Sequence, residues 1–360
     1  MRKIFLLIHS KRIGGAERRF FDLWLQLSQN NCNYFLVLSE DLFNQLIVKE
    51  NISNKQVIFF NFELSTAGFA KTVKFFIKQH TERNDIVHFI IDCPIIYTNR
   101  KTIYSITQSS LSNINWKGKL SHIFGILFSN YVDVLDPTIF RAAKKWRFFD
   151  ISKISITSCS FCDTQQYMPK EKENWVVFLG RFFEPKQVIP FVNAIPGICE
   201  KCKELKIEDV NFFILGHGEQ EKEILELLQQ PSYNTIPITF GFDEEPYKIL
   251  NKSKVFLSLQ KKTNYPSRSL IEALSAGNVA VVTDNGETRW LAKPEFSFYV
   301  KENFNQNELI NAVTEVLALS EVEFNKRSIL ARNFIIHNHN KEKMSNYFQN
   351  CYNKISKSAT

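Results

Sequence analysis

The strongest constraint on this chain is a rhythm. Brief, nearly continuous apolar runs alternate with amphipathic stretches, and the pattern plays through twice with a polar interruption between. In the first half the runs fall at 3–8 (KIFLLI), 34–38, 56–60, 85–91, 102–107, 132–135 and 153–157. In the second they fall at 175–180 (WVVFLG), 210–216, 237–241, 254–259 and 279–283. Runs this short and this uniformly apolar suit strands buried on both faces, which is the condition of a parallel sheet covered by helices. The stretches between them supply the helices: over 16–29, Phe20, Leu23, Trp24 and Leu27 recur at three- and four-residue spacing.

The interruption is DTQQYMPKEKEN, residues 163–174, which mixes turn formers, Pro169 and charges of both signs without periodicity. The reading is therefore α/β, two doubly wound Rossmann-like domains at 1–165 and 166–335. Residues 336–360 form a C-terminal helix expected to return to the first domain. Open parallel sheets bind ligands beyond the carboxyl ends of their strands, so the expected site is the cleft between the domains, lined by loops that follow strands.

Bulk properties narrow the function classes. The 360 residues are 44% hydrophobic and include 33 Phe, enough for two cores. A net charge of +8 and pI near 9.0 suit an anionic partner. No block of five basic residues and no RNP-type aromatic motif occurs, which argues against nucleic acid. The segment MRKIFLLIHSKR has five apolar residues before His9, too few for a signal-peptide core, and no run approaches the roughly 20 needed to span a bilayer. The expectation is a cytoplasmic protein with at most peripheral contact at the inner membrane face. Seven Cys, an odd number, point to reduced thiols. The CxxC pairs Cys159/Cys162 and Cys199/Cys202 are too widely separated for a zinc ribbon, so they read as incidental or buried thiols.

Four post-strand segments carry candidate chemistry. HSKRIGGAERR (9–19) opens a helix behind Gly14 and Gly15: either a turn presenting helix N–H groups to an anion, or a loop that needs positive φ. It lacks GxGxxG spacing, which removes support for a dinucleotide site. VVFLGRFFEPKQ (176–187) places Arg181 and Lys186 between a strand and a helix. A fork-shaped guanidinium and a mobile ammonium together suit a diphosphate and a departing anionic leaving group; two solvated surface cations fit the spacing equally. FFILGHGEQEKEI (212–224) has Gly216 and Gly218 at a sharp turn, bringing backbone near a ligand or simply entering a helix. NYPSRSLIEALSAGN (264–278) has Tyr265, Pro266 and Ser267 ahead of a helix whose middle carries Glu272 among apolar neighbours. Such a carboxylate lies on a solvated stripe or is held by a polar partner, and a carboxylate accepting ribose hydroxyls is a common need of nucleotide sites. TDNGET then adds the Gly286 loop.

The ordered set GGAER, GR-x4-K, G-x-G, NYPSRSLIEALSAGN and TDNGET resembles the retaining glycosyltransferase family 4, of the GT-B fold, over nearly the whole chain. The resemblance implies a nucleoside diphosphate sugar bound by the second domain, with Arg181 and Lys186 on the diphosphate and Glu272 on the ribose. It implies that no metal ion or other cofactor is needed, in keeping with the lack of a DxD pair. Asn264 stands eight residues before Glu272, where the family's E-x7-E motif begins with Glu, a residue engaged with the donor sugar. Asn keeps hydrogen bonding but brings no charge to offset an oxocarbenium. On the acceptor side, His88 and Gln108 fall near strand ends expected to face the cleft, with His9 a similar case; His88 reads equally as a core histidine.

Two classes compete. The first is a hexosyltransferase moving a sugar to a glycan or lipid-linked glycan of a cell-envelope polysaccharide, with retention by same-face attack that depends on leaving-group stabilisation. The second, motivated by Asn264, is a catalytically degenerate nucleotide-binding protein. A nucleotide-sugar epimerase ranks behind both, because no carboxylate set suited to its acid and base steps is evident.

Overall fold

The computed structural model describes residues 2–11, 13–29, 31–47, 56–63, 65–94, 96, 98–107, 116–146, 149–157, 160, 162–261 and 265–357. Two compact units emerge, residues 1–160 with 341–360, and residues 161–340.

In the first unit the strands are β1 (Ile4–Ile8), β2 (Tyr34–Leu38), β3 (Val57–Phe59), β4 (Ile86–Ile90), β5 (Lys101–Ile106), β6 (Tyr131–Val134) and β7 (Ile154–Ile156). They form one parallel sheet in the order β3-β2-β1-β4-β5-β6-β7. Helices α1 (Gly15–Ser28), α2 (Glu40–Leu46), α3 (Thr66–His80), α4 (Trp116–Phe128) and α5 (Pro137–Lys145) make the crossovers. Ser39, Ser65 and Asp136 cap α2, α3 and α5 by accepting backbone N–H bonds, which is why those helices begin where they do. Phe69, Val73 and Phe76 of α3, Ile126 of α4, and Ile139 and Ala143 of α5 share one core with Phe5, Val87 and Val132, so these three helices cover the same face of the sheet.

The second unit repeats the plan with β8 (Glu173–Leu179), β9 (Asn211–Leu215), β10 (Ile238–Gly241), β11 (Ser253–Ser258), β12 (Val279–Thr283) and β13 (Ser297–Val300). They are parallel in the order β10-β9-β8-β11-β12-β13. On one face α6 (Val188–Glu204) and α11 (Gln306–Leu317) pack on the sheet; on the other lie α9 (Arg268–Ser275) and α12 (Glu321–Asn338). Short helices α7 (Glu221–Leu228), α8 (Tyr247–Leu250) and α10 (Thr288–Leu291) fill the remaining connections. The last helix, α13 (Lys341–Lys357), belongs to the first unit, where its Phe348 meets Phe20 of α1 edge to face at 5.5 Å. Each sheet reverses its winding at one point, between β1 and β4 in the first unit and between β8 and β11 in the second. The loops leaving those strands are the places to look for a ligand.

Candidate active site

In the second unit, four loops at the carboxyl ends of the strands are sewn together by hydrogen bonds. After β8, Gly180 N donates to Leu215 O at 3.0 Å and Phe182 N to His217 O at 2.9 Å; Gln220 N donates back to Phe182 O at 3.1 Å. Gly216 and Gly218, with φ of +144° and +158°, make this lacing feasible. A Cβ on Gly216 would lie 1.9 Å from Gly180 O, and one on Gly218 would lie 2.4 Å from Phe182 O. The close approach these glycines serve is to the Arg181 loop.

The β8 loop is tied in turn to the loop after β11. Lys261 N donates to Pro185 O at 3.0 Å, and the Lys261 ammonium pairs with Glu184. Gln260 then binds the loop after β12: its N–H donates to Thr283 Oγ1 at 2.8 Å, and its carbonyl accepts from Asn285 Nδ2 at 2.6 Å. Gly286, φ +49°, sits in that last loop. Phe182, fully buried and stacked on Phe240 at 5.5 Å, anchors the whole assembly from below.

Arg181 and Lys186 ride on this frame. Arg181 is exposed; Lys186 ends a single 3-10 turn, Glu184–Lys186, instead of opening α6 itself, and Gln187 follows in the left-handed region. Burial pushes the Lys186 ammonium down to about 8, and the Arg181 guanidinium repels it further. Among the described residues neither side chain has a carboxylate partner. Two cations brought close enough to repel one another, without a carboxylate partner among the described residues, are the arrangement that a polyanion receptor requires.

On the adjoining strand, Ser267 caps α9 by accepting from Leu270 N at 3.4 Å. Tyr265, joined to Pro266 by a cis peptide bond, is buried edge-on to Trp290 at 5.4 Å. Glu272 is only 7% exposed. Its Oε1 accepts from Arg268 Nε at 2.8 Å, and the Tyr167 hydroxyl also bonds its carboxylate. Of the two alternatives for this acid, the structure shows the second: it is held by polar partners in a buried setting that includes Cys162, whose thiol burial pushes up to about 12. Arg268 was visible one helical turn away in the sequence; Tyr167, 105 positions earlier, had no local signal. Asn264 lies outside the described residues, as does Gln108.

The first unit handles its polar groups differently. Gly14 caps α1 in an extended conformation (φ −133°, ψ −174°), so no positive φ is used here, and a Cβ on Gly15 would meet nothing within 4 Å. His9 leaves β1 stacked on Phe69 at 4.1 Å, with Nδ1 3.4 Å from the carboxylate of Asp92, just past β4. His88, expected near a strand end, is instead the central residue of β4 and fully buried. Its Nδ1 contacts Tyr352 Oη at 2.9 Å and its Nε2 contacts Ser105 Oγ at 2.8 Å. Burial pushes it down to about 3, a neutral core imidazole with both nitrogens engaged. Beside it Asp133, also buried, accepts from Thr157 Oγ1 (2.6 Å), Tyr347 Oη (2.6 Å) and Ser105 Oγ (3.1 Å). Tyr347 and Tyr352 belong to α13, so this network fixes the terminal helix to the sheet.

Among the described residues no cluster of three His, Cys, Asp or Glu side chains is arranged to hold a metal ion. Cys162, Cys199 and Cys202 are free thiols, and Cys159 is outside the described residues.

Two open parallel sheets of this order, with a cationic loop at the winding reversal of the second, define a two-unit α/β protein of the GT-B class. The structure matches a glycosyltransferase from Rickettsia africae over 99% of both chains (TM-score 0.76, 17% identity). It matches Anabaena HepE in complex with UDP-glucose over 98% of this chain and 100% of that one (TM-score 0.78, 14% identity). Residues 163–344 match the family described as glycosyl transferases group 1, and the chain belongs to that family. It is similar to the Campylobacter jejuni N-acetylgalactosamine-N,N'-diacetylbacillosaminyl-diphospho-undecaprenol 4-alpha-N-acetylgalactosaminyltransferase, 28% identical over 148 residues. That match spans 41% of this chain and 38% of the enzyme.

Proposed function

We propose that the protein transfers a sugar from a nucleoside diphosphate sugar to a hydroxyl of a glycan or lipid-linked glycan, with retention of configuration and without a metal ion. The observation that carries the reading is the unneutralised pair Arg181 and Lys186, on a loop braced from three sides at the winding reversal of the second sheet. As the sugar–phosphate bond breaks, negative charge grows on the departing diphosphate. Fixed cations stabilise that charge more than the ground state, which lowers the barrier. Glu272, already oriented by Arg268 and Tyr167, has carboxylate capacity left for the ribose hydroxyls. Retention follows from same-face attack, with the leaving group itself available to receive the acceptor proton.

A lipid-linked acceptor is supported by the activity for which the Campylobacter relative is named, and a UDP donor by the HepE complex. The reading places the protein on the cytoplasmic side of a membrane. Its test is a thermal-shift and turnover panel of UDP- and GDP-sugars. A stabilising donor whose effect and transfer both vanish in Arg181→Ala supports the reading; a donor bound equally well by Arg181→Ala overturns it.

Asn264 favours a second reading, nucleotide binding without turnover. Wild type would then bind UDP or GDP but transfer nothing, and Asn264→Glu would create or raise transfer.

A further inference from the structure

Helix α4, sequence WKGKLSHIFGILF, is apolar on both sides. Facing the sheet, Ile126 is in the core, His122 is buried against the Tyr104 hydroxyl at 2.5 Å, and a Cβ on Gly125 would lie 2.6 Å from the Tyr104 ring. Leu120, Leu127 and Phe128, in contrast, point to solvent at 40%, 37% and 50% exposure, and Phe124 stacks on Phe128 in parallel at 5.9 Å. These positions recur at three-, four- and one-residue steps and make a continuous apolar stripe. The neighbouring helices of the same sheet face expose further apolar side chains, Phe75 of α3 at 55% and Trp146, at the end of α5, at 43%.

The three helices of this face carry charge of one sign, and the exposed acids Glu63 and Glu82 lie in the loops before and after α3. Helices α3, α4 and α5 contain no Asp or Glu at all, and they expose Lys71, Lys74, Lys78, Lys119, Lys144 and Lys145. Asp133 and Asp136, the acids in the chain between α4 and α5, are buried, and the exposed Asp150 comes only after α5. The helices of the opposite face are mixed: α1 carries Glu17 and Asp22, α2 carries Glu40 and Asp41, and α13 carries Glu342. An exposed apolar stripe on helices whose own charged side chains are all cations is the chemistry that recognises an anionic lipid surface, where rings and aliphatic side chains enter the headgroup layer and ammonium groups meet lipid phosphates.

We propose that the outer face of α3, α4 and α5 docks the protein on an anionic bilayer. The purpose of such docking rests on the lipid-linked acceptor reading, but its test is separable from that reading. Full-length protein is sedimented with vesicles of phosphatidylcholine alone and with vesicles containing phosphatidylglycerol, at low and high salt. Binding is expected to the anionic vesicles, to weaken with salt, and to fall by about tenfold in both Leu127→Ser/Phe128→Ser and Lys144→Gln/Lys145→Gln. Melting temperature and nucleotide binding should be unchanged in both double variants. No vesicle binding by the wild type, or binding indifferent to both variants, overturns the proposal. So does a concentration-dependent dimer, abolished by Phe128→Ser, in protein that ignores vesicles, since a second copy would then cover the face. Transfer to a water-soluble acceptor is assayed alongside: its loss with docking intact breaks the transferase reading alone, and its persistence without docking breaks this one alone.

Discussion

The two sheets share a winding order and differ in what they do with charge. The second unit leaves cations uncompensated at its winding reversal, Arg181 and Lys186, and spends its hydrogen bonds bracing the loop that carries them. The first unit sinks its charged and polar groups into the sheet, where Asp133, His88, Ser105 and two tyrosines satisfy one another and fasten α13. At its own winding reversal it offers His9 beside Asp92, with Glu17 buried in the first turn of the following helix. Arg18 and Arg19 share that turn, Arg18 paired with Asp22, so carboxylates accompany the cations at this reversal. The same topology therefore holds a cation pair without a carboxylate partner in one unit and a closed polar core in the other.

The contrast breaks most sharply at the cations. Arg181→Ala should reduce kcat/KM for donor transfer by about 10²–10³-fold, in the range seen when one transition-state donor is removed, while melting temperature barely moves. An equal loss of turnover in His88→Leu with unaltered folding would erase the distinction between the units. Next in size, Gly218→Ala should cost about 2–4 kcal/mol in chemical denaturation, because the new Cβ must displace the Phe182 backbone at a φ that side chains rarely adopt. Donor transfer should fall with it. Tyr347→Phe removes one of three donors from a buried carboxylate and should cost about 1–3 kcal/mol, with donor affinity unchanged.

The pH effects come last: stability from His88 and from Lys186 rises with pH, whereas donor affinity falls. His88 takes its proton more readily in the unfolded chain, at 6.5, than in the fold, at about 3. Stability from this group is complete above pH 6.5 and is lost as pH falls toward 3, a loss that His88→Gln should flatten in acid titrations. Lys186, lowered from 10.5 to about 8, opposes folding at neutral pH and relaxes that opposition as pH rises toward 10.5. Donor affinity should move the other way, declining a few-fold as pH passes about 8 and Lys186 loses its charge. Calorimetry across that interval checks it, with Lys186→Arg expected to remove the decline.

What could be read from the sequence follows local pattern. Twelve of the strands announced themselves as short apolar runs, the partly exposed edge strands β3 and β10 among them; β13, SFYV, opens on Ser and has only three apolar residues, too brief a run to stand out. The positions of Arg181, Lys186 and Glu272 just past strands were also legible, since a loop after a parallel strand is bounded by the strand's own pattern. Their support was not. The Tyr167 contact to Glu272 and the Pro185–Lys261 tie join positions distant in sequence, and no local pattern encodes them. His88 misled for a related reason: a histidine in an apolar strand looks alike whether it ends the strand or fills its middle.

The lacing of the four loops also bears on how tightly a donor can be held. A receptor that must first be ordered surrenders part of its contact energy to the entropy of ordering; one already stitched strand end to strand end surrenders little. Occupancy should therefore add only modest amide protection to residues 180–187 in hydrogen exchange, and affinity differences among donors should reside in dissociation rates.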